Sequence, residues 1–234
     1  ANEELGDRLN DSIYSNGYST TDKQGDVAIG GNLKTADKYK MANEINQKFV
    51  DVIRATGGNN ANRHLLIPGY NTDIEKTVNA RFVMPKDTAE NGKTKLFVSV
   101  HYYTPWDFCG DGGAGSYTYG DRQKTVENFE LLKRFSDEGY AYIIGECGVC
   151  SPQTVTGSVT TWFNDTFKEA AKYHAVPVLW ETGQYFDRTA ATLKFKDVAV
   201  YFNEINGANG DTSMTKTTGK STDVSFIKEV GDKK

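Results

Sequence analysis

The octet Ala141-Tyr142-Ile143-Ile144-Gly145-Glu146-Cys147-Gly148 is a short apolar run that ends abruptly in a carboxylate, with glycines on both sides. A buried parallel strand reads this way, and α/β barrels place their chemistry at the C-terminal mouth of such strands. A buried charge is costly, so Glu146 is expected to be partnered, open to a cleft, or catalytic. The plain alternative is a strand-end glutamate that reaches solvent. Three other stretches bear on that choice: Phe97 to Tyr103, Val176 to Glu181, and the first residues of the chain.

A chain of 234 residues is long enough to bury a sizeable core and is ordinarily one domain. Its formal net charge of −4 argues against a binder of nucleic-acid backbones, and no basic run is interleaved with aromatics. Aromatic residues make up 12% of the chain, and many fall in or near loops, which suits stacking on flat surfaces such as sugar rings. No apolar run approaches membrane-spanning length. Cys109, Cys147 and Cys150 match neither a zinc spacing nor a disulfide framework. Cys147 and Cys150 form a Cys-x-x-Cys pair, open to two readings. One is a redox dithiol; the other, which the surroundings favour, is two half-buried thiols beside a strand end.

Residues 1 to 32 are rich in Gly, Asn, Asp and Ser, which is loop chemistry. Met41, Ile45, Phe49, Val52 and Ile53 recur at helical spacing before the stop at Gly57-Gly58 and predict an amphipathic helix. His64 to Tyr70 reads as a short buried strand, with His64 structural at its start. Residues 71 to 94 read as loop with a short helix near Ile74 to Val78, and Asn91-Gly92 marks a turn before a strand at Lys95 to Tyr103. Thr104 to Arg122 reads as a glycine- and aromatic-rich loop. Val126, Phe129, Leu132 and Phe135 predict a helix ending at Gly139. A further helix carries Val159, Trp162, Phe163, Thr166, Phe167 and Ala170, with Trp162 on its core face. Val176 to Trp180 is the next strand and Val198 to Ile205 a helix. Residues 207 to 234 read as a polar tail or linker, with Val224 to Ile227 as a terminal strand.

Strands and helices that alternate in this order imply an α/β fold with parallel strands and crossover helices. The length falls in the lower range of a closed (β/α)8 barrel, yet only four strands can be found.

At this point the residues resemble glycoside hydrolase family 5, above all its endo-β-1,4-glucanases and xyloglucanases. His101-Tyr102-Tyr103-Thr104-Pro105-Trp106-Asp107-Phe108 matches the family's HxYxPxxF pattern after the sixth barrel strand. Ile144-Gly145-Glu146-Cys147-Gly148 matches its IGEFG pattern after the seventh, with Cys147 where Phe is usual. Leu179-Trp180-Glu181-Thr182-Gly183 resembles the tryptophan pattern after the eighth. Asn2-Glu3 falls where the family's Asn-Glu pair ends the fourth strand, with Glu4 in place of the usual Pro.

The resemblance implies half of a (β/α)8 TIM barrel over residues 1–206, with about four parallel strands, crossover helices and the first three βα units absent. It implies a retaining endoglucanase with Glu3 as acid/base and Glu146 as nucleophile, a pair such enzymes hold ~5–5.5 Å apart. Tyr103 would hydrogen-bond the nucleophile, Asn2 the 2-hydroxyl of the reacting sugar, and His101 would hold the polar network. Trp180 would lie under that sugar ring, with Trp106 a further stacking contact. No metal and no other cofactor is implied. The implied partner is a β-glucan polysaccharide, with no nucleic acid and no membrane, and the implied location extracellular, as for a secreted enzyme. The arginine and histidines that the family takes from its first three strands have no counterpart here. An open half-barrel exposes a strand edge, so self-association is expected. The rival readings are a catalytically impaired half-domain that binds β-glucan, and a fragment that requires a complementary half.

Overall fold

The computed structural model describes residues 2, 3, 5–7, 9, 33–89, 92–155 and 159–194. The expected helix at 198–205, the tail from 207 and the strand at 224–227 lie outside the described residues. Helix α1 (Thr35–Ala55) is followed by strand β1 (Leu65–Pro68), the short helix α2 (Ile74–Thr77) and strand β2 (Leu96–Tyr102). Helices α3 (Trp106–Cys109), α4 (Tyr119–Leu131) and α5 (Lys133–Asp137) lead to strand β3 (Ala141–Cys147). Helix α6 (Val159–Lys172), strand β4 (Val176–Leu179) and a small antiparallel hairpin, β5 (Phe186–Asp187) with β6 (Thr192–Leu193), complete the order.

The described residues form two compact units. One holds the residues up to Tyr102 together with Val126–Cys147 and Tyr173–Val178. The other holds Tyr103–Thr125, Gly148–Lys172 and the residues from Leu179. In the first unit, β1 to β4 form one sheet of four parallel strands in sequence order, so each connection is a crossover to the next neighbour. One sheet face is Val98, Val100 and Tyr102 of β2 with Tyr142 and Ile144 of β3, all buried. Helical aromatics cover it: Phe129 meets Tyr102 at 5.1 Å between ring centroids, and Phe135 meets Phe82 at 6.2 Å. Each such ring fully buried stabilises the fold by about 1.5–3 kcal/mol. Arg134 fastens α5 to the segment that follows α2 by donating to the carbonyls of Val78, Asn79 and Phe82.

Helix α1 forms where its periodicity predicts, but it packs by a different face. Its buried residues are Tyr39, Ala42, Asn46, Val50 and Arg54, while Ile45, Phe49 and Val52 are exposed. Long-range polar partners decide this orientation. Tyr39 stacks on Tyr70 at 3.8 Å, Asn46 donates to the Pro68 carbonyl, and Arg54 grips Asp87 with two bonds of 2.7 Å. An apolar count cannot see a buried ion pair. Helix α4 also begins earlier than expected, at Tyr119, because Asp121 accepts from the Thr118 backbone and hydroxyl at its first turn.

The Arg54–Asp87 pair is almost wholly buried, with 5% and 1% of the side chains exposed. Asp87→Ala would strand the guanidinium, and a loss of about 3–5 kcal/mol in urea unfolding is expected. The Arg54 hydrogen bonds hold the Asp87 carboxyl below its usual range. Its contribution is therefore complete above the ordinary Asp value near pH ~4, and is lost as pH falls through the lower folded value. An Asp87→Ala stability that stays within ~1 kcal/mol of the parent would refute this account.

Residues 5–7 are tied down by a polar hub. Asp7 accepts from Tyr70, Asn71 and Lys76, while its own backbone N–H donates to Asn71. Burial pushes the Asp7 carboxyl up, but the bonds from Lys76, Tyr70 and Asn71 outweigh it and hold it at about 2. Leu5 and Leu9 are buried beside this hub, and the Asn71 N–H donates to the Leu5 carbonyl. Gly6 is required, since a Cβ there would lie 1.8 Å from Asn71 Oδ1. This anchoring matters because Asn2 and Glu3 precede it directly.

In the second unit, Trp162 is fully buried, as expected of a core residue, and its indole N–H donates to the Thr104 carbonyl at 2.8 Å. Phe163 packs edge-on against both Phe167 and Tyr185. The Tyr185 hydroxyl accepts from Val149 N–H and donates to its carbonyl, which fixes the segment after β3. Among the described residues, no helix is long and apolar enough to cross a membrane.

Candidate active site

The site is assembled by an irregularity between two strands. Along β2 and β3, Val98 pairs with Tyr142 and Val100 with Ile144, but His101 pairs with Glu146, so Gly145 is an extra residue in β3. Strand side chains alternate in direction, and one inserted residue reverses that alternation. Without the bulge, Glu146 would share the buried face of Tyr142 and Ile144. With it, Glu146 joins the face of Ser99 and His101, and Cys147 returns to the buried one.

Only glycine fits at the inserted position. A Cβ on Gly145 would lie 2.6 Å from Ser99 Oγ and 3.5 Å from His101 Nε2. Gly145→Ala should therefore displace Ser99 or reopen the register, with a loss of about 1–3 kcal/mol in stability. The nearest obstacle is the Ser99 hydroxyl, so adding Ser99→Ala should restore most of the loss. Failure of that second substitution to restore stability would show that the register does not depend on this contact.

On this face the expected residues meet. His101 Nδ1 lies 2.9 Å from Glu3 Oε1, in hydrogen-bond contact, and 3.4 Å from Glu146 Oε2. Asn2 Nδ2 donates to Glu146 Oε1 at 3.0 Å. One carboxylate oxygen of Glu3, one of Glu146 and a His101 ring nitrogen all lie within 4.8 Å of one another. Exposure falls from Glu3 (35%) to Glu146 (15%) to His101 (7%), so one acid stands toward solvent and the other sits deeper. Such a set could also ligate a cation, and among the described residues it is the one group of His, Cys, Asp and Glu close enough to do so.

Tyr103, Trp106 and Trp180 belong to the second unit. Tyr103 follows β2 directly, and its ring meets Trp106 edge-on at 6.2 Å and 81°. Trp106 is 67% exposed and Trp180, which follows β4, is 42% exposed, so each offers ring surface to a ligand. The Trp180 segment is held by a neighbour the sequence reading did not single out. Glu181 Oε1 accepts from the backbone N–H groups of Gly183, Tyr185 and Phe186. Burial pushes the Glu181 carboxyl up, but these three N–H groups outweigh it and hold it below its usual range. Gln184 closes the turn by donating to the Trp180 carbonyl. Thr182-Gly183 marks the turn in the sequence, but no pattern there marks Glu181 as its acceptor.

Within the Cys-x-x-Cys, burial disfavours a thiolate at Cys147. The Cys147 thiol is buried and donates to the Val178 carbonyl at 3.5 Å, and burial pushes its pKa far up.

Comparison with known proteins bears on the family and the fold. Residues 19–186 match the family model for cellulase, glycosyl hydrolase family 5. The chain is 34% identical over 169 residues to endoglucanase A of Paenibacillus barcinonensis, covering 62% of this chain and 42% of that protein. It is 31% identical over 198 residues to a xyloglucan-specific endo-β-1,4-glucanase of Bacteroides ovatus, covering 74% and 38%. Among solved structures, a broad-specificity endoglucanase from an uncultured bovine rumen ciliate superposes with a TM-score of 0.64 at 30% identity, over 72% of this chain and 55% of that one. The Bacteroides ovatus xyloglucanase with a bound heptasaccharide gives 0.64 at 29%, over 78% and 44%. The chain thus spans about two fifths of the length of these curated relatives. Its four parallel strands correspond to half of the relatives' (β/α)8 barrel. On the match of its motifs, its strand order and the family model together, the chain belongs to glycoside hydrolase family 5.

Proposed function

We propose that this chain is a retaining endo-β-1,4-glucanase that cleaves soluble β-glucans such as carboxymethyl-cellulose by double displacement. The observation that carries this reading is that one carboxylate oxygen of Glu3 and one of Glu146 lie within 4.8 Å of each other. Retaining enzymes hold their two carboxyl groups ~5–5.5 Å apart, whereas inverting enzymes need ~6.5–9.5 Å to admit a water. In the first step Glu146 attacks the anomeric carbon while Glu3 gives its proton to the departing glycosidic oxygen. In the second, Glu3 takes a proton from water, which displaces Glu146 from the sugar. Asn2 and His101 orient the two acids through the contacts already described. Trp106 and Trp180 offer faces on which sugar rings stack. The polymer cannot enter a cell, so we place the enzyme outside it.

A second reading is favoured by the chain's span of about two fifths of its relatives. The outer strands carry exposed apolar residues, Leu66 on β1 and Val176 and Val178 on β4, and α1 presents Ile45, Phe49 and Val52. On this reading the half-barrel binds β-glucan with weak turnover and gains activity by pairing with itself or with a complementary half. Reducing-end release from carboxymethyl-cellulose, with the anomeric configuration of first products read by NMR, tests the first proposal. Release with retained configuration supports it, and inverted product overturns it. No release by the chain alone, but turnover after adding the N-terminal βα units, would establish the second. A monomeric mass by light scattering at micromolar concentration would overturn self-association.

A further inference from the structure

The loop after α3 and the segment after β3 run side by side in the second unit. The backbone N–H of Cys150 donates to the carbonyl of Cys109 at 2.8 Å. Two flanking bonds continue the contact: Gly112 N–H donates to Ser151 Oγ at 3.0 Å, and Thr154 Oγ1 donates to the Gly113 carbonyl at 2.7 Å. With standard bond lengths on either side, one N–H···O=C bond of this length leaves the two Cα atoms at most roughly 6.5 Å apart, inside the ~4.4–6.8 Å that a disulfide spans. All three cysteines of the chain carry thiols in this structure.

We propose that Cys109 and Cys150 are a bridgeable pair, and that an oxidising environment joins them in a disulfide that clamps the Trp106 turn to the segment following β3. Cys150 is partly exposed and Cys109 is buried, so Cys150 is the more accessible of the two and would react first with an external disulfide. A small disulfide such as oxidised glutathione is attacked by the Cys150 thiolate, which forms a mixed disulfide and releases one glutathione thiolate. The Cys109 thiolate then attacks the Cys150 sulfur, the Cys109–Cys150 bond forms, and the second glutathione thiolate leaves. The protein loses two thiol protons and two electrons, and one oxidised glutathione becomes two reduced ones. Cys147 is engaged elsewhere, its thiol donating to the Val178 carbonyl at 3.5 Å, and no backbone bond of this kind ties it to Cys150 among the described contacts.

The clamp would act on the residue that most needs it. Trp106 begins α3, and its ring lies against Gly110, where a Cβ would come within 2.5 Å of Cε2. Tethering Cys109 fixes the end of the same short helix, and so the attitude of an exposed indole.

The experiment uses the whole chain, reduced, then equilibrated with a glutathione redox buffer, and does not depend on catalysis. Thiol titration should fall from three to one, intact mass should drop by about 2 Da, and a non-reducing peptide map should link Cys109 to Cys150. Cys147→Ala should form the same bridge, whereas Cys109→Ala should stop at a glutathione adduct on Cys150. The bridged form should melt about 5 °C or more above the reduced form. Three titratable thiols after oxidation, a persistent glutathione adduct in the parent chain, or a Cys147–Cys150 peptide would each overturn the proposal.

Discussion

Glu146→Gln should lower kcat/KM on carboxymethyl-cellulose by at least about 10³-fold, a loss of roughly 4 kcal/mol in transition-state stabilisation. An amide has no anionic oxygen to displace the leaving group, and no glycosyl-enzyme ester can form on it. The substitution is otherwise close to isosteric. Its remaining carbonyl oxygen can still accept from Asn2 Nδ2, which now bonds Glu146 Oε1 at 3.0 Å. The Gly145 bulge that turns this position toward His101 is a backbone feature and should survive. Melting temperature and circular dichroism should therefore match the parent while turnover disappears. A variant that retains more than about a tenth of parental activity on an aryl cellobioside would place the nucleophile elsewhere. The isosteric change separates this outcome from misfolding, which Glu146→Ala would not.

The element order was legible because parallel strands and amphipathic helices write their periods into the sequence. The runs at Leu96–Tyr102 and Ala141–Cys147 and the apolar face of α6 all fell where their patterns predict. Glu146 was legible as a carboxylate at a strand end, and Glu3 by resemblance alone. No period announces Glu3, which is anchored by Asp7 and Leu5 through partners more than sixty residues away. The face of α1 was misread because a helix can bury Asn46 and Arg54 once each finds a polar partner. The bulge was illegible for a sharper reason. Simple alternation through Ile143-Ile144-Gly145-Glu146 points the glutamate into the core, and only the pairing with β2 shows the inserted residue. The Gly145–Glu146 adjacency was the trace of it, since a glycine inside a strand marks a bulge or a close approach. The β5–β6 hairpin was missed because two-residue strands have too few positions to show alternation.

Glu3→Ala should separate the two halves of the reaction. On carboxymethyl-cellulose, whose leaving group is a poor one, loss of the general acid should cost about 10²–10⁴-fold. On dinitrophenyl β-cellobioside the leaving group departs without a proton, so the glycosyl-enzyme on Glu146 should form at near the parental rate. Its breakdown should be slow, because no carboxylate remains to activate water, and a burst of dinitrophenolate followed by a slow steady state is expected. Azide is small enough to enter the space left by the Glu3 carboxylate, and it needs no general base. Added azide should therefore speed the steady state and yield β-cellobiosyl azide, the retained configuration. The geometry supports this division of labour. Glu3 is the more exposed of the two acids and lies against His101, so its removal opens space on the solvent side while Asn2 still holds Glu146. If azide gives the α-azide, the displacement is single and the chain inverts. If the burst is absent while the variant melts like the parent, Glu3 is not the acid, and the proton must come from another group.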